Sequence, residues 1–192
     1  MNGAEVSDMQ LRSSANRYGA IAQSLHWLTV ILVIVAWGLG TFDDVLPRGP
    51  ARRTGLFVHI SAGLAILAVL AARVPWRLVD PPPPPEPTMF GVWGDRASRL
   101  AHYTLYALLV AAPIAGIVLQ FARGQALPLF GLAELPSPWA ADRPFARSVK
   151  EVHELLANAL LIVAALHAAA ALFHHWVFRD RTLVRMLPGD RT

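Results

Sequence analysis

Four stretches of this chain are apolar over almost the full length needed to cross a lipid bilayer, and that leaves few folds open. The hydrocarbon core asks for roughly 20 apolar residues in a helix. Backbone in lipid must also satisfy its own hydrogen bonds, which restricts spanning segments to helices and closed barrels. The stretches run over 20–42, 54–72, 98–121 and 150–178. The first carries no charge between Arg17 and Asp43, and the second ends at Arg73. A signal peptide has an apolar core of about 7–15 residues; the first run is longer and reads as a retained helix. The expected fold is therefore all-α, a transmembrane four-helix bundle over 18–178, with tails at 1–17 and 179–192.

Composition agrees. Charged residues make up 16% of the chain and hydrophobic ones 55%, against about 25% charged in an ordinary soluble domain. With no cysteine, disulfides, zinc–thiolate sites, iron–sulfur clusters and covalently attached haem are excluded. The arginines flank the apolar runs. That is the placement of membrane anchors, not of a nucleic-acid surface.

The first connection is short and holds Pro47, Gly49 and Pro50. The second contains five consecutive prolines, Pro81 to Pro85, and must be a polyproline II spacer. The third, Ala122 to Lys150, mixes apolar residues with prolines and is expected to cap one end of the bundle. No internal repeat of fixed period is apparent. Counting Lys and Arg gives ten on the side of the termini. The other side has seven, namely Arg48, Arg52, Arg53, Arg123, Arg143, Arg147 and Lys150. This bias puts both termini in the cytoplasm.

All seven histidines lie in or at the ends of apolar segments, where polar groups are costly and usually functional. The direction of each helix sets their depths. His26 and His167 share the inner level; His59 and His153 share the outer one. His153 and His167 are 14 residues apart on one helix. That is nearly four turns, so they share a face, with about 21 Å of rise between them. Two imidazoles facing each other at one depth suit the axial positions of a haem iron. Zinc would want its ligands in one cluster. Small residues beside the histidines, namely Ala157, Ala164, Gly63, Gly38 and Gly40, leave room for a porphyrin or simply for helix packing.

The segments RYGAIAQSLHWLTVILVIVAWGLG, HISAGL, HYTLYALLVAAPIAG and VHELLANALLIVAALHAAAALFHHW resemble the bacterial cytochrome b561 family, over about Tyr18 to Pro188. The resemblance implies an inner-membrane cytochrome with two non-covalent haem b groups. The implied iron ligands are His26 with His167, and His59 with His153. It extends to members that take electrons from superoxide and pass them to ubiquinone, making the chain a superoxide:ubiquinone oxidoreductase in membrane lipid, with no catalytic side chain needed beyond the haem. The alternative is an electron-relay anchor for a partner dehydrogenase or a soluble cytochrome donor. The long proline run and the long N-terminus depart from the family pattern without touching the histidines.

Three other positions carry weaker expectations. His102 opens the third helix at the inner level, where it can bond a propionate or a quinone or compete as a ligand. Arg73, 14 residues after His59, can pair with an inner propionate or snorkel to the surface. His174, followed by His175, can donate to a quinone or complement the helix dipole. Pro113 with Gly116 should bend the third helix. The seven outer basic residues can steer a small anion or be solvated loop charges.

Overall fold

The computed structural model describes residues 11–42, 45–86 and 89–188. Asp43, Asp44, Pro87, Arg191 and the first ten residues of the N-terminal tail lie outside it. Four helices carry the fold: α1 (Ala20–Thr41), α2 (Pro50–Val79), α3 (Gly91–Ala122) and α4 (Arg143–Phe173). All four are long and apolar enough to span a membrane. Large apolar side chains such as Ile34, Leu155 and Leu166 point outward, as a bundle with lipid for solvent requires.

Three helices run further than the apolar stretches alone suggest. Gly49 takes a positive φ of 111° and Pro50 follows in the first helical turn, a start signal that begins α2 a turn early. At its other end α2 continues through Arg73 and Pro75 to Val79. Pro75 removes one backbone donor, but it does so near the membrane exit, where water can reach the freed carbonyl. α3 begins at Gly91, outside the apolar stretch, with Arg96 stacked over Trp93 at 5.1 Å. α4 begins at Arg143 because the Asp142 side chain caps it, accepting from Phe145 N at 3.0 Å, with Pro144 in the first turn. A π-helical turn, His174–Phe178, extends α4.

The helices pack as two hairpins, α1 against α2 and α3 against α4, joined mainly through α2 and α3. One end of the bundle, the terminal face, gathers the described ends of both tails and the proline segment. Arg185 fastens it. Its guanidinium donates to Pro84 O at 2.7 Å and pairs with Glu86 at 2.6 Å, while its carbonyl accepts from Tyr18 N and Gln23 Nε2. The proline segment is thus a docked strap. At the opposite, hairpin face, strands β1 (Leu127–Leu129) and β2 (Ala133–Leu135) pair antiparallel with Leu127 opposite Leu135. Leu127 is buried, and β1 packs on α2 and α3. The third connection does cap that end.

The core sits at mid-depth. Ile66, Leu70, Leu109 and Leu160 are buried together, with Leu32, Val33 and Ala36 packed against them. Val33, Ile66, Leu109 and Leu160 each follow, by seven residues, a histidine: His26, His59, His102 and His153. Seven residues are two turns, so one apolar layer crosses all four helices midway between two polar ones.

Candidate functional site

Position on the helices sorts the polar groups into two layers. On every helix a 14-residue step links one layer to the other: His26 to Gly40, His59 to Arg73, His102 to Gly116, His153 to His167. The hairpin-face layer therefore holds Gly40, His59, Gly116 and His153. The terminal-face layer holds His26, Arg73, His102 and His167. The two helix hairpins are related by this pattern, His26 and Gly40 on α1 matching His102 and Gly116 on α3. The repeat is not visible as a fixed period, because the connections inside the two hairpins differ greatly in length.

In the hairpin-face layer the His59 and His153 rings lie together edge-on, centroids 5.9 Å apart and planes at 84°. His59 Nδ1 donates to Ala36 O at 2.7 Å, and His153 Nδ1 donates to Ala112 O at 2.9 Å. A carbonyl can only accept, so the proton of each neutral ring sits on Nδ1 and the Nε2 lone pair is free to bind a metal.

The terminal-face layer is built differently. His26 and His167 have centroids 6.4 Å apart and planes at 68°. His102 lies closer to His167, at 5.1 Å, with its Nδ1 donating to Ser98 O at 2.7 Å. Arg73 Nη2 donates to His26 Nδ1 at 3.3 Å and its guanidinium lies 5.6 Å from the Tyr106 ring centre. Arginine has no acceptor, so the His26 proton sits on Nε2. Binding a metal at that nitrogen displaces the proton or turns Arg73 away.

The separations discriminate between pairs. An imidazole nitrogen binds a first-row metal at about 2 Å, so one ion held between two opposed rings sets their centroids roughly 6 Å apart. His59–His153 and His26–His167 meet that requirement, whereas His102–His167 is about 1 Å too close. Among the described residues no group of three or more His, Asp or Glu converges as a cluster metal site would. The surroundings also suit a flat ring. A Cβ added to Gly63, one turn beyond His59, would meet nothing within 4 Å. Tyr106 Oη, one turn beyond His102, is buried without a hydrogen-bond partner among the described residues. Beside Arg73, it is a donor awaiting an anionic acceptor such as a propionate.

The remaining candidates separate. His174 sits in the π-helical turn, 2.5 Å from Asp180 Oδ2. Burial raises the Asp180 pKa, but hydrogen bonds from His174 and Thr182 outweigh it and hold the carboxyl below its usual range. His175 lies against Trp176 at the same interface. Of the seven basic residues near the hairpin face, Lys150 pairs with Glu154 at 2.7 Å. Arg123 caps α3 and lies within electrostatic reach of His153. An apolar groove of about 270 Å³ opens between α1 and α2, lined by Leu32, Val35, Phe57, Ser61 and Phe130 among others. By sequence, Gly116 belongs to an expected bend and Gly40 to room for a porphyrin or for helix packing. Both lie against histidine rings: an added Cβ would come within 2.9 Å of His59 Cε1 and 3.1 Å of His153 Cε1. The signal was their 14-residue spacing from His26 and His102.

A family profile described as prokaryotic cytochrome b561 matches residues 17–189. The probable superoxide oxidase CybB of Yersinia pestis is 36% identical over 179 residues, covering 91% of this chain and 98% of that protein. Cytochrome b561 homolog 2 of Escherichia coli K12 is 31% identical, covering 93% of this chain and 95% of the relative. Cytochrome b562 of Cereibacter sphaeroides is 29% identical over 88% of this chain.

Proposed function

Since this chain belongs to the prokaryotic cytochrome b561 family, and is thus a bacterial membrane electron-transfer protein with b-type haem, we propose that it carries two such haems and oxidises superoxide at the hairpin face, reducing ubiquinone. The observation that carries this reading is the pair of imidazole couples at opposite ends of the bundle, each at the separation one iron requires. His59 and His153 would hold the outer group, His26 and His167 the inner one. Bound there, a b-type haem supplies a one-electron redox centre.

The chain's own residues arrange the rest. Ala36 O and Ala112 O keep the outer imidazoles in the tautomer that binds metal. Arg73 and Tyr106 Oη offer donors to inner carboxylate groups, with His102 alongside as a positioning residue rather than a ligand. Val33, Ile66, Leu109 and Leu160 exclude water between the layers. Arg123 and the basic residues at the helix ends beside it attract a small anion to the outer site. The balance is two superoxide ions giving up one electron each and leaving as dioxygen, while ubiquinone takes two electrons and two protons to become ubiquinol. The α1–α2 groove opens to lipid on the hairpin-face side and suits an isoprenoid quinone, whereas His174, paired with Asp180, lies at the terminal face away from it. The hairpin face looks out of the cell and both tails lie in the cytoplasm of a bacterial inner membrane. The relationship to CybB, a probable superoxide oxidase by name, supports the choice of donor.

The test uses the chain purified alone in detergent. Superoxide generated enzymatically should reduce its haem, an effect abolished by superoxide dismutase, and added ubiquinone should reoxidise it. If reduction appears only with a co-purified dehydrogenase or soluble cytochrome, the protein is an electron-relay anchor instead.

A further inference from the structure

The hairpin-face histidines rest on two matching pieces of backbone. On α1, Ala36 O accepts from His59 Nδ1, and four residues on, Gly40 presents no side chain to the same ring. On α3, Ala112 O accepts from His153 Nδ1, and four residues on, Gly116 does the same. Residues four apart lie one above the other on a helix. Each helix thus offers a carbonyl to hydrogen-bond the imidazole and a bare patch one turn further along for it to lie on.

The close approach needs both parts. A Cβ at Gly40 would lie 2.9 Å from His59 Cε1 and 3.2 Å from Nδ1; at Gly116 it would lie 3.1 Å from His153 Cε1 and 3.4 Å from Nδ1. The tightest of these distances lies inside van der Waals contact, so a methyl group would push the ring off its carbonyl. The two imidazoles are carried by one helix hairpin each and supported by the partner helix of the same hairpin. Their planes cross at 84°, so the two supports also fix the angle between the rings. Among the described residues neither His26 nor His167 has a carbonyl partner at Nδ1; Arg73 donates to the first.

We infer that Gly40 and Gly116, each with the carbonyl one turn before it, are positioning residues that set the orientation and electron-donating strength of the outer-haem ligands. This rests on the proposed role of His59 and His153 as ligands. A hydrogen bond from Nδ1–H to a carbonyl makes the imidazole a stronger donor. A stronger donor favours ferric over ferrous iron, so the two supports lower the reduction potential of the outer group and not of the inner one.

Gly40→Ala and Gly116→Ala in the full-length haem-loaded protein test this, the inner haem serving as reference. The expected result is a raised midpoint potential for the haem that His59→Ala removes, with the other haem's midpoint unmoved. Loss of the outer haem alone, with the inner one retained, also supports the assignment. The unmodified protein gives a second readout that needs no glycine variant to fold. Its ferric outer haem should show the highly anisotropic low-spin resonance of near-perpendicular imidazole planes, and each glycine variant should shift it. Two loaded haems with unchanged potentials and resonances in both variants overturn the inference, as does a rhombic signal of parallel planes from the unmodified outer haem. Absence of haem from the unmodified protein, or a His59→Ala variant that keeps both haems, instead overturns the ligand assignment itself.

Discussion

The two polar layers of this bundle are built from the same helices at the same spacing, yet they hold their imidazoles in different ways. In the hairpin-face layer both rings donate to backbone carbonyls and leave Nε2 free. In the terminal-face layer Arg73 donates to His26, and His102 sits beside His167 in the position that His26 occupies on the matching helix. The hairpin-face layer leaves both Nε2 lone pairs free for a metal; in the terminal-face layer a metal at His26 Nε2 would require loss of a proton or movement of Arg73. A repeated scaffold has been specialised by side chains. Glycine stands opposite each hairpin-face ring, and arginine stands at position 73, where the repeat would otherwise place a histidine matching His167.

The largest effects come from removing the imidazoles themselves. His59→Ala should cut the haem content of the purified protein from two per chain to one, sparing the inner site, and His167→Ala should do the reverse; haem stoichiometry and difference spectra check both. If either change removes both haems from a protein that keeps its helical circular dichroism, the layers are not independent.

Arg73→Leu sharpens the contrast between layers. Losing a buried positive charge beside the inner couple should lower that haem's potential. At an effective dielectric near 20 the effect is about 1–2 kcal/mol, on the order of 40–90 mV for one electron. Potentiometric titration should show the inner midpoint falling while the outer stays. His102→Ala should keep both haems and move the inner midpoint by less than Arg73→Leu; loss of the inner haem would make His102 a ligand. Arg123→Gln should slow reduction by superoxide about two- to tenfold at low ionic strength and converge on the unmodified rate as salt rises. Stopped-flow rates across a salt series read this directly.

The smallest effect lies outside the layers. Asp180 has a folded-state pKa held below its ordinary value by His174 and Thr182. The stability it contributes is therefore fully present above the unfolded value near 4 and lost as pH falls through the folded one. Hydrogen exchange in residues 174–180 should quicken in Asp180→Asn at neutral pH, and in the unmodified chain only well below pH 4.

Much of this was legible in the residues. Lipid leaves a chain little choice but to form helices, so apolar length alone marked the four spans. Helical rise and chain direction then sorted His26, His59, His153 and His167 into two depths. The helix ends were less readable. The second apolar stretch stops at Arg73, but α2 runs on through Pro75, where water can stand in for the lost bond, and Asp142 with Pro144 starts α4 a full turn and more before its apolar run. The repeat is not legible as a sequence period because its identity lies in positions along the helix axis, which the unequal connections scramble in sequence. Gly40 and Gly116 were hidden for a related reason. What makes them matter is the ring of another helix lying on them, and no local pattern announces that contact.

The claim on which everything else depends is that two facing imidazoles bind each haem, one couple per layer. It is tested most directly by haem stoichiometry with magnetic resonance of the oxidised, purified protein. Two low-spin ferric haems per chain, each with bis-imidazole coordination, are predicted. A single haem per chain, or a high-spin signal from a five-coordinate iron, would contradict it.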